Sequence, residues 1–171
     1  LEHEGDPLDQ VTLVLNSHIV GRKFNDIAYI FIITTEGSIY FGRPLTHIGL
    51  HAGYTKESKD IQREYFEHDF SALLKAEGAE KEELMKQFVQ MNKMDPDYGS
   101  IGVALCGNFN KNSVPTDMQK KSLEKVLNFL KQMFDIPSRN IIGHNEVEEK
   151  VVKDSCLTLE SPKKSCPGKG L

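Results

Sequence analysis

The residues with the clearest chemical potential stand near the end of the chain: Gly143-His144-Asn145-Glu146, and then Pro162-Lys163-Lys164-Ser165-Cys166-Pro167-Gly168. A neutral imidazole and a thiolate are both good zinc ligands, and a lysine two residues before the thiol would stand at the rim of whatever they bind. That is a metal half-site with an electrophile beside it. One His and one Cys match no dense ligand motif, however, and taken alone they favour a plainer reading. In that reading His144 caps a strand, Cys166 is a core or disulfide cysteine and Lys164 is solvated. The remaining polar candidates cluster in Gly42-Arg43-Pro44-Leu45-Thr46-His47-Ile48-Gly49-Leu50-His51-Ala52-Gly53-Tyr54, a loop-like stretch of little periodicity. Loops of this kind form sites.

The elements that must position these residues belong to a chain of 171 residues, enough for one domain with a full core, read as 1–171, and for an insertion within it. The net charge of -4 supplies no basic stripe for phosphates, so nucleic acid is not an expected partner. No apolar run approaches the ~20 residues of a bilayer span, and Leu1-Glu2-His3-Glu4 has neither the basic nor the apolar region of a signal peptide. Three cysteines, Cys106, Cys156 and Cys166, are an odd number and too few for a disulfide scaffold, so at least one is free or metal-bound. Absence of Trp argues against a large carbohydrate-stacking platform.

Asp6-Pro7 reads as N-cap and first helical position, with Leu8, Val11, Leu15 and Ile19 at helical spacing, which predicts a helix over about 7–20. The apolar, β-branched run 27–34 predicts a strand buried on both faces, and Glu36-Gly37 a turn into a partner strand, 38–41. Residues 56–94 are highly charged and carry two helical sets of apolar positions broken at Glu77-Gly78, a helical hairpin inserted into the domain. Residues 100–106 predict a third strand whose Cys106 is a small buried hydrophobe. Thr116 to Gln119 is a capping box opening a long helix through Phe134, with Leu123, Val126, Leu127, Leu130 and Met133 as its core face. Asn140-Ile141-Ile142 reads as a short last strand delivering His144. His18 and His68 read as surface positions on helices, and Glu146 as a residue that orients His144 or caps a turn.

Taken in order, Asp26-Ile27-Ala28-Tyr29-Ile30-Phe31-Ile32-Ile33, Glu36-Gly37-Ser38-Ile39-Tyr40-Phe41-Gly42-Arg43, Gly49-Leu50-His51-Ala52-Gly53, Ser100-Ile101-Gly102-Val103-Ala104-Leu105-Cys106-Gly107-Asn108-Phe109, Pro115-Thr116, Ile142-Gly143-His144-Asn145-Glu146-Val147 and Ser165-Cys166-Pro167-Gly168 resemble the zinc N-acetylmuramoyl-L-alanine amidases, the type shared by phage lysozyme-like amidases and peptidoglycan recognition proteins. The resemblance implies an α/β domain, a mixed central β-sheet flanked by helices, with a peptidoglycan groove across a zinc ion (Zn2+). By the family motif the ligands fall on His144 and Cys166, and the first ligand on His3. Residues 56–94 fill a connection that is short in most relatives, and 148–163 lengthen the link between His144 and Cys166. Cys156 in that link is a rival ligand, or a disulfide partner whose bond to Cys166 would remove the metal site.

Three protein ligands leave zinc an open fourth position, as in catalytic sites. By the family pattern Tyr29 and Lys164 are the catalytic pair. Lys164 supplies charge where the tetrahedral intermediate becomes negative, and the Tyr29 hydroxyl donates to the same oxygen or relays a proton. Some relatives carry a Glu base in the strand matching 101–106, and this strand has none. His51, Arg43 and Asn108 are the expected substrate-binding residues, with a hydrogen bond to the metal site as the alternative role for His51; His47 is a weaker candidate of the same kind. The expected substrate is peptidoglycan or a muropeptide, cut by a monomer at the amide between N-acetylmuramic acid and L-alanine, in an extracytoplasmic or cell-wall setting. A non-catalytic peptidoglycan-binding module of the same fold is the competing reading, and a partner-binding role for 56–94 beside a vestigial site is a third.

Overall fold

The computed structural model describes residues 5–52, 72, 75–94, 96–109 and 114–147, with the side chains of 88–94 left aside. Helix α1, Pro7–Asn16, begins where Asp6 Oδ1 accepts from the Leu8 N–H at 2.8 Å and Pro7 takes the first helical position. The expected helix runs on as far as Gly21, but its last stretch, Ser17–Gly21, is a π-type turn. A π turn inserts an extra residue and rotates the side chains that follow. Ile19, expected inward, is therefore 40% exposed, and His18, expected at the surface, is buried at 5%.

Strand β1, Phe31–Ile33, is buried on both faces, as its uninterrupted apolar run requires. It pairs antiparallel with β2, Ile39–Phe41, and parallel with β3, Val103–Leu105, in the order β2-β1-β3. The sheet is mixed, with registers Ile32 to Tyr40 and Ile32 to Ala104. The hairpin closes where the Gly37 N–H donates to the Thr34 carbonyl at 2.8 Å, with Gly37 at φ +82, a left-handed conformation that suits glycine.

Among the described residues, each face of the sheet is covered by one helix. Ile27, Ile32 and Cys106 pack with Val11, Val14 and Leu15 of α1. On the other face Ile30, Phe31 and Ile33 meet Val126 and Leu130 of the long helix Asp117–Phe134, with Phe134 and Leu123 beside them. Met133, expected in that face, is 43% exposed; Phe134 packs in its stead. The capping box is present: Thr116 Oγ1 accepts from the Gln119 N–H and Gln119 Oε1 from the Thr116 N–H, both at 3.1 Å. Gln119 is wholly buried, and its Nε2 donates to the Cys106 carbonyl at 2.8 Å and the Ile33 carbonyl at 3.3 Å. One side chain thus caps the helix and closes the carbonyl ends of β1 and β3.

Of the hairpin expected over 56–94, the second half is a helix, Gly78–Met94, starting at the expected break. In chain order this helix is α2 and Asp117–Phe134 is α3. The first half, 56–71, lies outside the described residues. The short strand expected at Asn140–Ile142 does not form. The chain makes a 3-10 turn at Ser138–Asn140, and the Ile141 N–H donates back to the Ser138 carbonyl at 3.1 Å, which uses a donor that a ladder would have needed. Among the described residues no helix is long and apolar enough to cross a membrane.

Candidate functional site

Tyr29 lies just before β1, half-buried, and its carbonyl accepts from the Arg43 N–H at 2.9 Å. Its ring meets two imidazoles, with centroids 5.6 Å from His18 and 5.9 Å from His51, both tilted by about 40°, within the range of productive aromatic contact. His18 Nδ1 accepts from the Ala28 N–H at 3.1 Å, so the proton of the neutral ring is on Nε2. Phe24 also contacts the His18 ring, with centroids 5.7 Å apart.

His51 occupies a slot made by two glycines. A Cβ on Gly102 would lie 2.5 Å from His51 Cγ, and one on Gly49 would overlap Nδ1. The two glycines, having no Cβ, therefore admit a side chain. Asp97, 1% exposed, holds the loop from below: its Oδ1 accepts from the N–H groups of His51 at 2.9 Å and Ala52 at 2.7 Å, and stands 3.3 Å from His51 Nδ1. Ser100 Oγ is 3.3 Å from His51 Nε2. The order Ser100, His51, Asp97 matches that of a nucleophilic triad, but the Ser100 hydroxyl sits 2.7 Å from the Pro96 carbonyl and the Asp97 oxygen is spent on two backbone donors. The cluster holds the loop in place.

Burial pushes the His18 pKa down to about 4, helped by the positive charges of Arg22 and Arg43. His51 is also pushed to about 4, by burial first; a hydrogen bond to the Ala28 backbone opposes the shift and Arg43 adds to it. The nearby Asp97 carboxylate does not reverse the direction, since removal of the imidazolium from water costs more than that contact returns. Both rings are neutral at neutral pH.

Arg43, expected at the substrate, is 7% exposed and committed inside the protein. Its Nε donates to the Ile27 carbonyl at 2.9 Å, Nη1 to Ile48 at 2.6 Å and Nη2 to Asp26 at 3.4 Å, so it binds the start of β1 to the His51 loop. Burial lowers its pKa, against the opposing influence of Asp26 and Asp97. Asn108 is half-buried just after β3. His47 Nδ1 is 3.0 Å from Thr46 Oγ1. Burial raises the Cys106 thiol to about 11, as expected for a cysteine used as a small hydrophobe.

His144 opens a 3-10 turn, His144–Glu146, half-buried with its Nε2 shielded from solvent. Glu146 takes the turn-capping option: its carboxylate accepts from the Gly143 N–H. Among the described residues no three His, Cys, Asp or Glu side chains gather to hold a metal. His3, Lys164 and Cys166 lie outside the described residues, as do Cys156 and His68. The structure thus brings Tyr29 and His51 together, adds His18, Asp97 and Ser100 to them, and leaves the expected ligand set represented by His144. Asp97 and Ser100 were missed because they reach His51 across 46 and 49 residues, a separation with no local signature.

Comparison with known proteins bears on the whole chain. The family model described as N-acetylmuramoyl-L-alanine amidase matches residues 3–169. Among solved structures the chain is similar to the crystal structure of Drosophila peptidoglycan recognition protein SD, at 18% identity and a TM-score of 0.42, over 76% of this chain and 52% of that one. The chain therefore spans about half the length of that structure. No curated protein matches it.

Proposed function

Because the chain belongs to the N-acetylmuramoyl-L-alanine amidase family, we propose that it hydrolyses the amide between N-acetylmuramic acid and L-alanine in peptidoglycan or muropeptides, with zinc as cofactor. The observation that carries this reading is the extent of the family match, residues 3–169, which takes in His3, Tyr29, His144, Lys164 and Cys166 together. Two imidazoles and a thiolate are a donor set suited to zinc, and a half-buried His144 with a shielded Nε2 suits a ligand that must stay neutral. His3, His144 and Cys166 would hold the ion. When bound, zinc supplies a Lewis acid and lowers the pKa of water to ~7.

The chain's own side chains then have distinct tasks. The Tyr29 hydroxyl donates to the amide oxygen as it gains charge, or moves a proton to the leaving nitrogen. Lys164 sets a fixed positive charge against the same oxygen. The neutral His18 and His51 rings add no further cation beside the phenol. Asn108, near the end of β3, is retained as a substrate contact.

Purified protein should carry near-stoichiometric zinc and cleave muramoyl peptides, with activity lost on chelation and restored by zinc. Cys166→Ser should lose the metal, since a hydroxyl is a far poorer ligand than a thiolate. Zinc-loaded protein that binds peptidoglycan and leaves the amide intact would replace this reading with recognition alone; full zinc in Cys166→Ser would move the site, with Cys156 the first suspect.

A further inference from the structure

The ring cluster around Tyr29 is more constrained than a catalytic phenol at a strand end requires. A tyrosine has two free side-chain torsions, and a half-buried one at the start of a strand would ordinarily use them. Here the backbone is held by the Arg43 N–H on the Tyr29 carbonyl at 2.9 Å, and Gly42 packs directly against that carbonyl. The side chain is in contact with two rings, His18 at 5.6 Å and His51 at 5.9 Å.

Neither histidine is free to move away. His18 is fixed through Nδ1 by the N–H of Ala28, the residue next to Tyr29, so any displacement of Tyr29's own backbone carries the imidazole with it. His51 is fixed by the slot between Gly49 and Gly102, and its loop by Asp97. The tethers reach across the fold: α1's terminal turn supplies one imidazole, the loop after β2 the other, and the approach to β3 the carboxylate beneath it.

We propose that His18 and His51 are positioning residues that clamp the Tyr29 ring between them and fix the direction of its hydroxyl. This rests on the role given to Tyr29 above, and its consequence is kinetic. A donor held in one orientation meets the developing charge without first losing torsional freedom, and a misplacement on the order of 1 Å costs up to about 10²-fold in rate.

The test uses the full chain with ring-labelled tyrosine, Tyr29 being assigned through Tyr29→Phe. In the wild-type protein, NMR cross-peaks are expected between the Tyr29 ring protons and the imidazole protons of both His18 and His51; their absence overturns the clamp without any variant. His18→Leu and His51→Leu should each move the Tyr29 signals toward solvent-averaged values while Tyr40 stays in place, and His51→Phe, which keeps a ring in the slot between Gly49 and Gly102, should restore them. Leu variants with an unmoved Tyr29, or a His51→Phe variant as disturbed as His51→Leu, refute the proposal. On a muramoyl peptide the Leu variants should lower kcat by about 10- to 100-fold with KM little changed, and should have no further effect when Tyr29 is already Phe. The same loss in the Tyr29→Phe background would mean a general structural role. Wild-type turnover by Tyr29→Phe itself would remove the catalytic role of Tyr29, and the NMR contacts would still decide the clamp.

Discussion

Acid should unfold this protein through its buried histidines before the carboxylates titrate. His18 and His51 are pushed from 6.5 to about 4 in the folded protein, whereas in the unfolded chain both titrate near 6.5. Folded pKa values below the unfolded ones mean that the unfolded chain binds protons more readily, so the stabilisation is whole above pH 6.5 and drains as pH falls towards 4. Integrated down to pH 4.5, each histidine accounts for about 2–3 kcal/mol, and the pair for about 5 kcal/mol. A domain of this size is stable by roughly 5–15 kcal/mol, so the loss is a large share of the whole. Urea unfolding followed at pH 8, 6.5, 5.5 and 4.5 should show falling stability in the wild-type protein. A variant with His18→Gln and His51→Gln, in which neither position titrates and the first replacement keeps an acceptor for the Ala28 N–H, should lose about 5 kcal/mol less over the same range. Parallel curves for the two proteins, or a wild-type protein that gains stability on acidification, would refute the burial argument for both rings.

Three further outcomes are expected. Lys164→Ala and Tyr29→Phe should each lower kcat on a muramoyl peptide by ~10²–10³ with zinc retained, and together by less than the product, because they serve one developing charge; a full product in the double variant would mean separate steps. Gly102→Ala drives a methyl to 2.5 Å from the His51 ring and should cost about 1–3 kcal/mol in thermal or urea unfolding, with His51→Ala recovering part of the loss. Deleting 56–94 and closing the gap with a Gly/Ser linker should leave the three-stranded sheet folded by circular dichroism and NMR. Ala76 is buried, but α2 is mostly exposed over 78–87, and the Lys81 to Asp135 contact at 3.6 Å is an exposed ion pair of little worth. Loss of folding on deletion would show that the hairpin completes the core.

What the sequence by itself determined is what neighbouring residues encode. Asp6-Pro7 begins a helix, Thr116 and Gln119 cap one, Glu36-Gly37 turns a hairpin, Gly78 opens the helix that runs to Met94, and the 27–34 run contains the doubly buried strand. Each of these depends on backbone geometry within a few residues, where side-chain type is decisive. The order of motifs likewise carried the family, since the match spans both ends of the chain.

Only the tertiary structure decided which side chains the slots would receive. A π turn of five residues turned His18 inward and Ile19 outward, although helical spacing alone favoured the reverse. Arg43 was drawn inside because three carbonyls, of Asp26, Ile27 and Ile48, converge where the chain folds back on itself. The strand expected at 140–142 gave way to a local turn, since a short apolar segment forms a ladder only when a neighbour offers one. The His18, Tyr29, His51 stack arises from three segments that share no local pattern, and its support from Asp97 comes from 46 residues away. Local spacing specifies the conformation of a segment; the space left between distant backbones, here the gap that Gly49 and Gly102 leave open, selects the ring that fills it.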